Sequence, residues 1–327
     1  HRLGSIKNVI DNDEIGPEFG DEEINVIFVV DESDSERERN IKYRRLFTSL
    51  NRYAKPTDQT TNIIMEEDDA YAILTRRLVE EHLVFGKGTG DESARKNTRV
   101  NVNTKNLNAN NPPHFTSLAT LYGISKKLLA IPEFPDINPI TPEGLLSRPT
   151  EVQLNQWYEE LSLIWDVIGE AFPLINSDLT KLRRKNSTSD EEYPLAYLYP
   201  RIQENVWIPK IRKYITENAE FGDKEQYLEA IDPLTKMDWD LRKVPWNPLI
   251  LGKNDPTDPD ADLILIEEDK AARDRVMGEV IYYLTDFYSF NEEDLLDLKA
   301  NLFSLATQLE DVDAREKWWN ELLALNS

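Results

Sequence analysis

Two neighbouring stretches decide the fold: INVIFVV at residues 24–30 and RERNIKYRRLFTSLNRYAKP at residues 37–56. The first is a continuous run of β-branched and aromatic residues, which predicts a buried strand. The second predicts a helix, capped by Ser33 or Ser35 and stopped by Pro56. Tyr43, Leu46, Phe47 and Leu50 fall at helical spacing and form its expected buried face. A strand leading into a helix marks an α+β unit rather than a bundle.

Outward from this pair the same reading continues. Residues 2–10 predict a short helix with Leu3, Ile6 and Ile10 on one face, and a turn follows at Gly16-Pro17. Asn62–Met65 predicts a second short strand. Asp68 or Asp69 caps a helix from Ala70 to about Val84, with Ile73, Leu74 and Leu78 inward. Residues 86–113 are polar and rich in Gly and Asn, which predicts a long loop with a strand at Thr98–Val102. A helix is expected over Phe115–Leu129. The Pro-rich run from Ile131 to Pro139 then marks a domain boundary. Beyond it the pattern predicts helices at 150–170, 200–218, 223–231, 268–289, 292–308 and 312–325, with polar breaks at 186–192 and 252–262. The expected architecture is a small α+β core over residues 1–131, followed by a mostly α-helical domain over 132–327.

Charge divides the chain at the same place. Residues 1–131 carry a net charge of −3, and residues 132–327 carry −20. All seven Trp lie in the second part and are expected in its core. The chain contains no Cys, which excludes disulfides, thiolate metal sites and a Cys nucleophile. Its three His (His1, His82, His114) show no metal-ligand spacing, so no metal site is expected from them. No apolar run approaches membrane-spanning length, and a cytoplasmic location is expected. A net charge of −23 argues against coating nucleic acid over the whole surface.

Within this acidic chain residues 37–55 hold seven basic residues and one acidic one. Arg37, Arg39, Lys42, Arg44 and Arg45 are the candidate DNA-binding residues, because guanidinium groups bond phosphate oxygens in pairs. The plainer alternative is a solvated face paired with the chain's own acids. Asn51, Arg52 and Lys55 cluster at the helix end, where cations also serve simply as caps. GKGTG at 86–90 lacks the phosphate-loop pattern and reads as a loop. Arg95, Lys96, Arg99 and Lys105 leave transient nucleic-acid contact open. KLRRK at 181–185 reads as a surface helix end. The acidic clusters at 66–69 and 255–262 read as solvated turns rather than cation sites.

Several segments, in order, resemble one family. HRLGS at 1–5 looks like the end of an Asp-Gly-Gln-His-Arg signature. LFTSLNRYAKP at 46–56 is similar to a family segment ending in Asn-Arg-x-Ala-Lys-Pro. DDAYAILTRRLV at 68–79 resembles its next helix, FTSL at 115–118 with Leu121-Tyr122 resembles the helix closing the core, and WNP at 246–248 is a looser match. Together they resemble the DGQHR-domain proteins, whose best-known members are the DndB-like proteins of DNA phosphorothioation systems. The Asp-Gly-Gln portion is not in the chain, so the family's signature turn would be split by its start.

The resemblance implies a ParB/sulfiredoxin-like α+β core and a nucleotide- or phosphate-binding site. His1 and Arg2 would stand at a helix N-terminus, with Asn51, Arg52 and Lys55 approaching from the second helix. It implies a DNA-binding component or regulator of transcription in a DNA-modification or phage-defence system. Its partners would be DNA and, through the acidic helical domain, other proteins of the system; a homo-oligomer is left open. The alternatives are an NTP-hydrolysing ParB-like enzyme using NTP with Mg2+, or an acidic scaffold. Hydrolysis would need a metal-holding carboxylate, for which Asp68 and Asp69 are the candidates by family position.

Overall fold

The computed structural model describes residues 35–51, 59–86, 99–105, 107, 114–138, 140, 146–177, 179, 181–183, 193–255, 258, 261–309 and 311–326, with backbone only at 48–51 and 181. The expected helix at 2–10 and strand at 24–30 lie outside these residues. So do His1, Arg2, Arg52 and Lys55. The chain divides into two compact units, residues 1–43 and 44–327.

The described part of the first unit is the opening of α1 (Glu36–Asn51), where the Ser35 hydroxyl accepts the Glu38 N–H at 3.4 Å. Arg37, Arg39 and Lys42 lie on this stretch. Tyr43 is 47% exposed, and Phe47, in the second unit, is 49% exposed. Of the expected apolar face of α1, Tyr43 and Phe47 are therefore exposed and Leu46 is half-buried, while the guanidinium groups of Arg44 and Arg45 meet acids of the second unit.

The second unit is mostly helical, with two small sheets. Asn62–Met65 is not a strand. It belongs to α2 (Gln59–Met65), whose ladder is closed by the Glu66 N–H on the Asn62 carbonyl at 2.8 Å. Ile63 is buried and its neighbour Ile64 is 40% exposed, so a single turn suffices to seat one side chain. Next comes α3 (Ala70–Glu81), capped by Asp69, with Leu74 and Leu78 buried. A two-residue strand β1 (Val100–Asn101) pairs in parallel with β2 (Thr116–Ser117). Phe115 through Ser117 is thus extended rather than helical; the Ser117 hydroxyl then caps α4 (Leu118–Leu128).

Among the described residues six helices of eleven residues or more follow in the strongly acidic part: α5 (Glu151–Ala171), α6 (Ile208–Asn218), α7 (Lys224–Thr235), α8 (Lys270–Leu284), α9 (Glu292–Leu305) and α10 (Val312–Ala324). Thr150 with Gln153 forms a capping box at α5, and Asn291 with Asp294 does so at α9. The part is not purely helical. β3 (Leu251–Lys253) and β4 (Leu263–Leu265) form an antiparallel pair around the stretch read from sequence as a polar break. Three residues per strand are too few for an alternating pattern to show.

α6 is preceded by a π-helical segment, Gln203–Trp207, in which the Ile208 N–H reaches back five residues to the Gln203 carbonyl. Here α4 approaches so closely that a Cβ at Gly123 would lie 2.3 Å from Glu204 Oε1. Glycine is the residue that fits such a contact.

The core is continuous from Ile63, Leu74 and Leu78 through Leu161 and Ile164 to Leu302 and Trp318. All seven Trp are buried. Trp165 meets Phe85 and Phe115 edge-on, with ring centroids 4.7 and 6.0 Å away. Such contacts add to the burial of apolar area. Among the described residues no helix is long and apolar enough to cross a membrane.

Candidate nucleic-acid interface

The turn between α2 and α3 carries four successive acids, Glu66 to Asp69. Glu67 is 3% exposed, and a carboxylate so buried requires cationic partners. Three arginines supply them. Arg44 Nη1 donates to Glu67 Oε1 at 2.9 Å, Arg76 Nη2 to the same oxygen at 3.0 Å, and Arg148 Nη1 to Oε2 at 2.8 Å. Arg76 Nη1 also donates to the Ile63 and Glu66 carbonyls, both at 2.6 Å, and Arg148 Nη1 to the Glu67 carbonyl at 2.7 Å. Burial pushes Arg76 below its ordinary value, while Glu67 opposes that shift.

Arg45 lies against the next acid. Its Nε donates to Asp68 Oδ2 at 3.3 Å, and Nη2 sits 2.9 Å from Oδ1 as a close ion contact rather than an aligned hydrogen bond. The side chains of Arg44 and Arg45 are 45% and 48% exposed. Each therefore has one edge braced by an acid and another edge in solvent. Arg44, Arg45, Arg76 and Arg148 balance Glu66 to Asp69 in number. The cluster is not a strong positive field; it fixes the direction of two guanidinium groups.

Asp69 is committed elsewhere. Its Oδ1 accepts the Tyr71 and Ala72 N–H groups and Asn138 Nδ2, at 2.9, 3.3 and 3.0 Å, and Oδ2 accepts the Tyr122 hydroxyl at 2.6 Å. Burial, reinforced by the bond to Asp69, holds the Tyr122 hydroxyl protonated well above the ordinary phenol range. With four donors on Asp69 and Arg45 on Asp68, these two acids do not fit a Mg2+ site. Among the described residues no group of three or more His, Asp or Glu is arranged to hold a metal ion.

Of the residues singled out by sequence, Arg45 meets Asp68, and the adjacent Arg44 meets Glu67. Arg37, Arg39 and Lys42 lie on the first unit's part of α1, and only the backbone of Asn51 is described. Glu67, Arg76 and Arg148 were missed as a set. Arg76 lies in a segment read as a helix of the core, and Arg148 stands isolated before Pro149; no local spacing links them to Glu67. Two other readings are corrected. Arg183, expected on a surface helix end, is 2% exposed. Arg99, expected on a solvated loop, turns inward onto backbone carbonyls.

The family model DndB, described as DNA-sulfur modification-associated, matches residues 1–257. No curated protein and no solved structure matches the chain. The match takes in α1, the acidic turn, Arg76 and Arg148 together, and it spans most of the sequence. The chain belongs to the DndB family, associated with the sulfur modification of DNA.

Proposed function

We propose that this protein is a DNA-binding component or regulator of a DNA phosphorothioation system, and that α1 contacts the phosphate backbone. The supporting observation is the pairing of composition and geometry on that helix. Seven basic residues and one acid fall within 37–55 of a chain whose net charge is −23. Arg44 and Arg45 are held by Glu67 and Asp68 with their outer edges in solvent. A braced guanidinium loses less freedom on meeting a phosphate than a free one. Arg37, Arg39 and Lys42 extend the same basic stretch. His1, Arg2, Asn51, Arg52 and Lys55 form a second phosphate site in this reading, within a ParB-like core over 1–131. The acidic helices of 132–327 face protein partners and keep non-specific DNA binding low.

The test is DNA binding against salt for the full chain and for an Arg37→Gln/Arg39→Gln/Lys42→Gln variant. These three are chosen because replacing Arg44 or Arg45 would also disturb the acidic turn. Each lost phosphate contact removes about 0.9 from the slope of log K against log salt. The variant should bind more weakly, with a slope shallower by roughly 2–3. No binding by the wild type at low salt, or an unchanged slope, refutes the proposal.

A further inference from the structure

Two arginines flank Phe115, and among the described residues no acid balances them. Arg99 Nη1 donates to the Val84 carbonyl at 3.2 Å and to Asn176 Oδ1 at 3.1 Å, and Nη2 donates to the Ile175 carbonyl. Its guanidinium carbon lies 5.8 Å from the centre of the Phe115 ring. Arg183 Nε donates to the Leu198 carbonyl at 3.3 Å, and Nη2 to the Phe115 carbonyl at 3.0 Å. Every one of these acceptors is neutral. Among the described residues no carboxylate forms an ion pair with either guanidinium.

Three polar atoms around Phe115 are buried and lack a partner: Arg183 Nη1, Gln203 Oε1 and Thr116 Oγ1. Their residues are 2%, 0% and 0% exposed. Arg183 and Gln203 are close neighbours, because Gln203 Nε2 donates to the same Phe115 carbonyl, at 3.1 Å, that Arg183 holds, and Thr116 is the next residue after Phe115 in the chain. Burial lowers Arg183 to about 10, and the nearby Arg99 adds to that lowering. Burial lowers Arg99 as well.

An unpaired buried charge is among the least favourable features an interior can hold. This chain has 61 acidic residues, yet among the described residues the two arginines meet only carbonyl and amide oxygens. We infer that Arg183, with Thr116, Gln203 and the neighbouring Arg99, forms a binding site for a small oxyanion of the phosphate type. The free Nη1 of Arg183 and the Thr116 hydroxyl donate to its oxygens. Gln203 Oε1 accepts from a protonated oxygen, which a hydrogen phosphate group carries. The site shares no residue with α1, and the inference does not rest on DNA binding there.

The experiment is calorimetric titration of the full chain with inorganic phosphate, alongside thermal unfolding in phosphate and in chloride of matched ionic strength. Wild type should bind saturably and melt higher in phosphate, as any ligand specific for the folded state requires. Arg183→Met should abolish both effects. Thr116→Val keeps the shape and removes only an unpartnered hydroxyl, so it should fold and weaken binding about tenfold, the worth of one hydrogen bond to a charged group. It decides the matter if Arg183→Met does not fold. ATP displacing phosphate from the site would assign the anion to a nucleotide; phosphate binding indifferent to ATP would assign it to the free ion. No phosphate-specific binding by wild type, or wild-type affinity in Thr116→Val and in any folded Arg183→Met, overturns the inference.

Discussion

Replacing Glu67 by Gln tests whether the acidic turn is held by charge or only by shape. Glutamine keeps the size and one acceptor oxygen, but it removes the negative charge that three guanidinium groups share. Arg76 and Arg148 are only 13% and 16% exposed, so they lose a partner with little water to replace it. Removing one member of a buried ion pair costs about 3–5 kcal/mol. Two facts reduce that figure here. Both arginines keep backbone carbonyl partners, and Arg44 is nearly half exposed, so its share is about 0–1 kcal/mol. The expected loss is about 3 kcal/mol. Urea unfolding of the full chain, followed by Trp fluorescence, measures it, since Trp157 and Trp165 sit in the core that α3 shares with α5. The midpoint should fall with the slope unchanged. A loss under about 1 kcal/mol would mean that the carbonyls alone satisfy Arg76 and Arg148, and would refute the charge argument. Adding Arg76→Met to Glu67→Gln should recover part of the loss, because it removes a cation left without its anion.

Two further predictions follow from the described geometry. His82 Nδ1 accepts the Val84 N–H at 3.2 Å while Nε2 lies 3.1 Å from the Ser162 carbonyl, so the ring is neutral with its proton on Nε2. Burial lowers its pKa below 6.5, and Asp166, which opposes this, is 53% exposed and screened. The unfolded chain then binds the proton first. Stability should fall as pH drops through 6.5 and level off only below the folded value. Urea midpoints between pH 7.5 and 5 should show a steeper decline in wild type than in His82→Gln, and equal declines would refute the assignment. At the start of α5, Thr150→Ala removes the hydroxyl that accepts the Gln153 N–H at 3.3 Å. The chain should lose about 1 kcal/mol, and Thr150→Ser should restore most of it in the same unfolding assay.

The helices of the acidic part were legible because their signals are local. Thr150, Asn291 and Asp311 stand where caps belong, and apolar residues recur at helical spacing behind them. Asn62–Met65 misled because two adjacent isoleucines satisfy a strand preference as well as a single helical turn. The short strands of β3 and β4 offered no period to read. The arginine set is a different case. Arg44, Arg76 and Arg148 lie 23, 9 and 81 residues from Glu67 in sequence, so only the fold brings them together. Arg183 sits in a basic run that resembles any surface run. Its burial follows from the packing of Phe115, Leu198 and Gln203 around it, which no spacing encodes.

The π-helical segment before α6 has a consequence for how this chain tolerates insertions and deletions. Gln203–Trp207 holds one residue more than an α-helical path between the same points would need. Excising that residue lets an ordinary α-helical turn span the same points, so α6 keeps its place, whereas deleting Ile208 or Pro209 at the start of α6 would turn every later side chain by about 100° and draw it back about 1.5 Å. Arg212, 2.8 Å from the buried Glu160, would leave that carboxylate with the Tyr227 hydroxyl alone, and Lys210 would leave the face of the Tyr282 ring, now 3.6 Å away. The extra residue thus acts as slack in the chain. A one-residue deletion at the π turn tightens it and leaves the ion pair between α5 and α6 in place, while the same deletion a turn later breaks that pair.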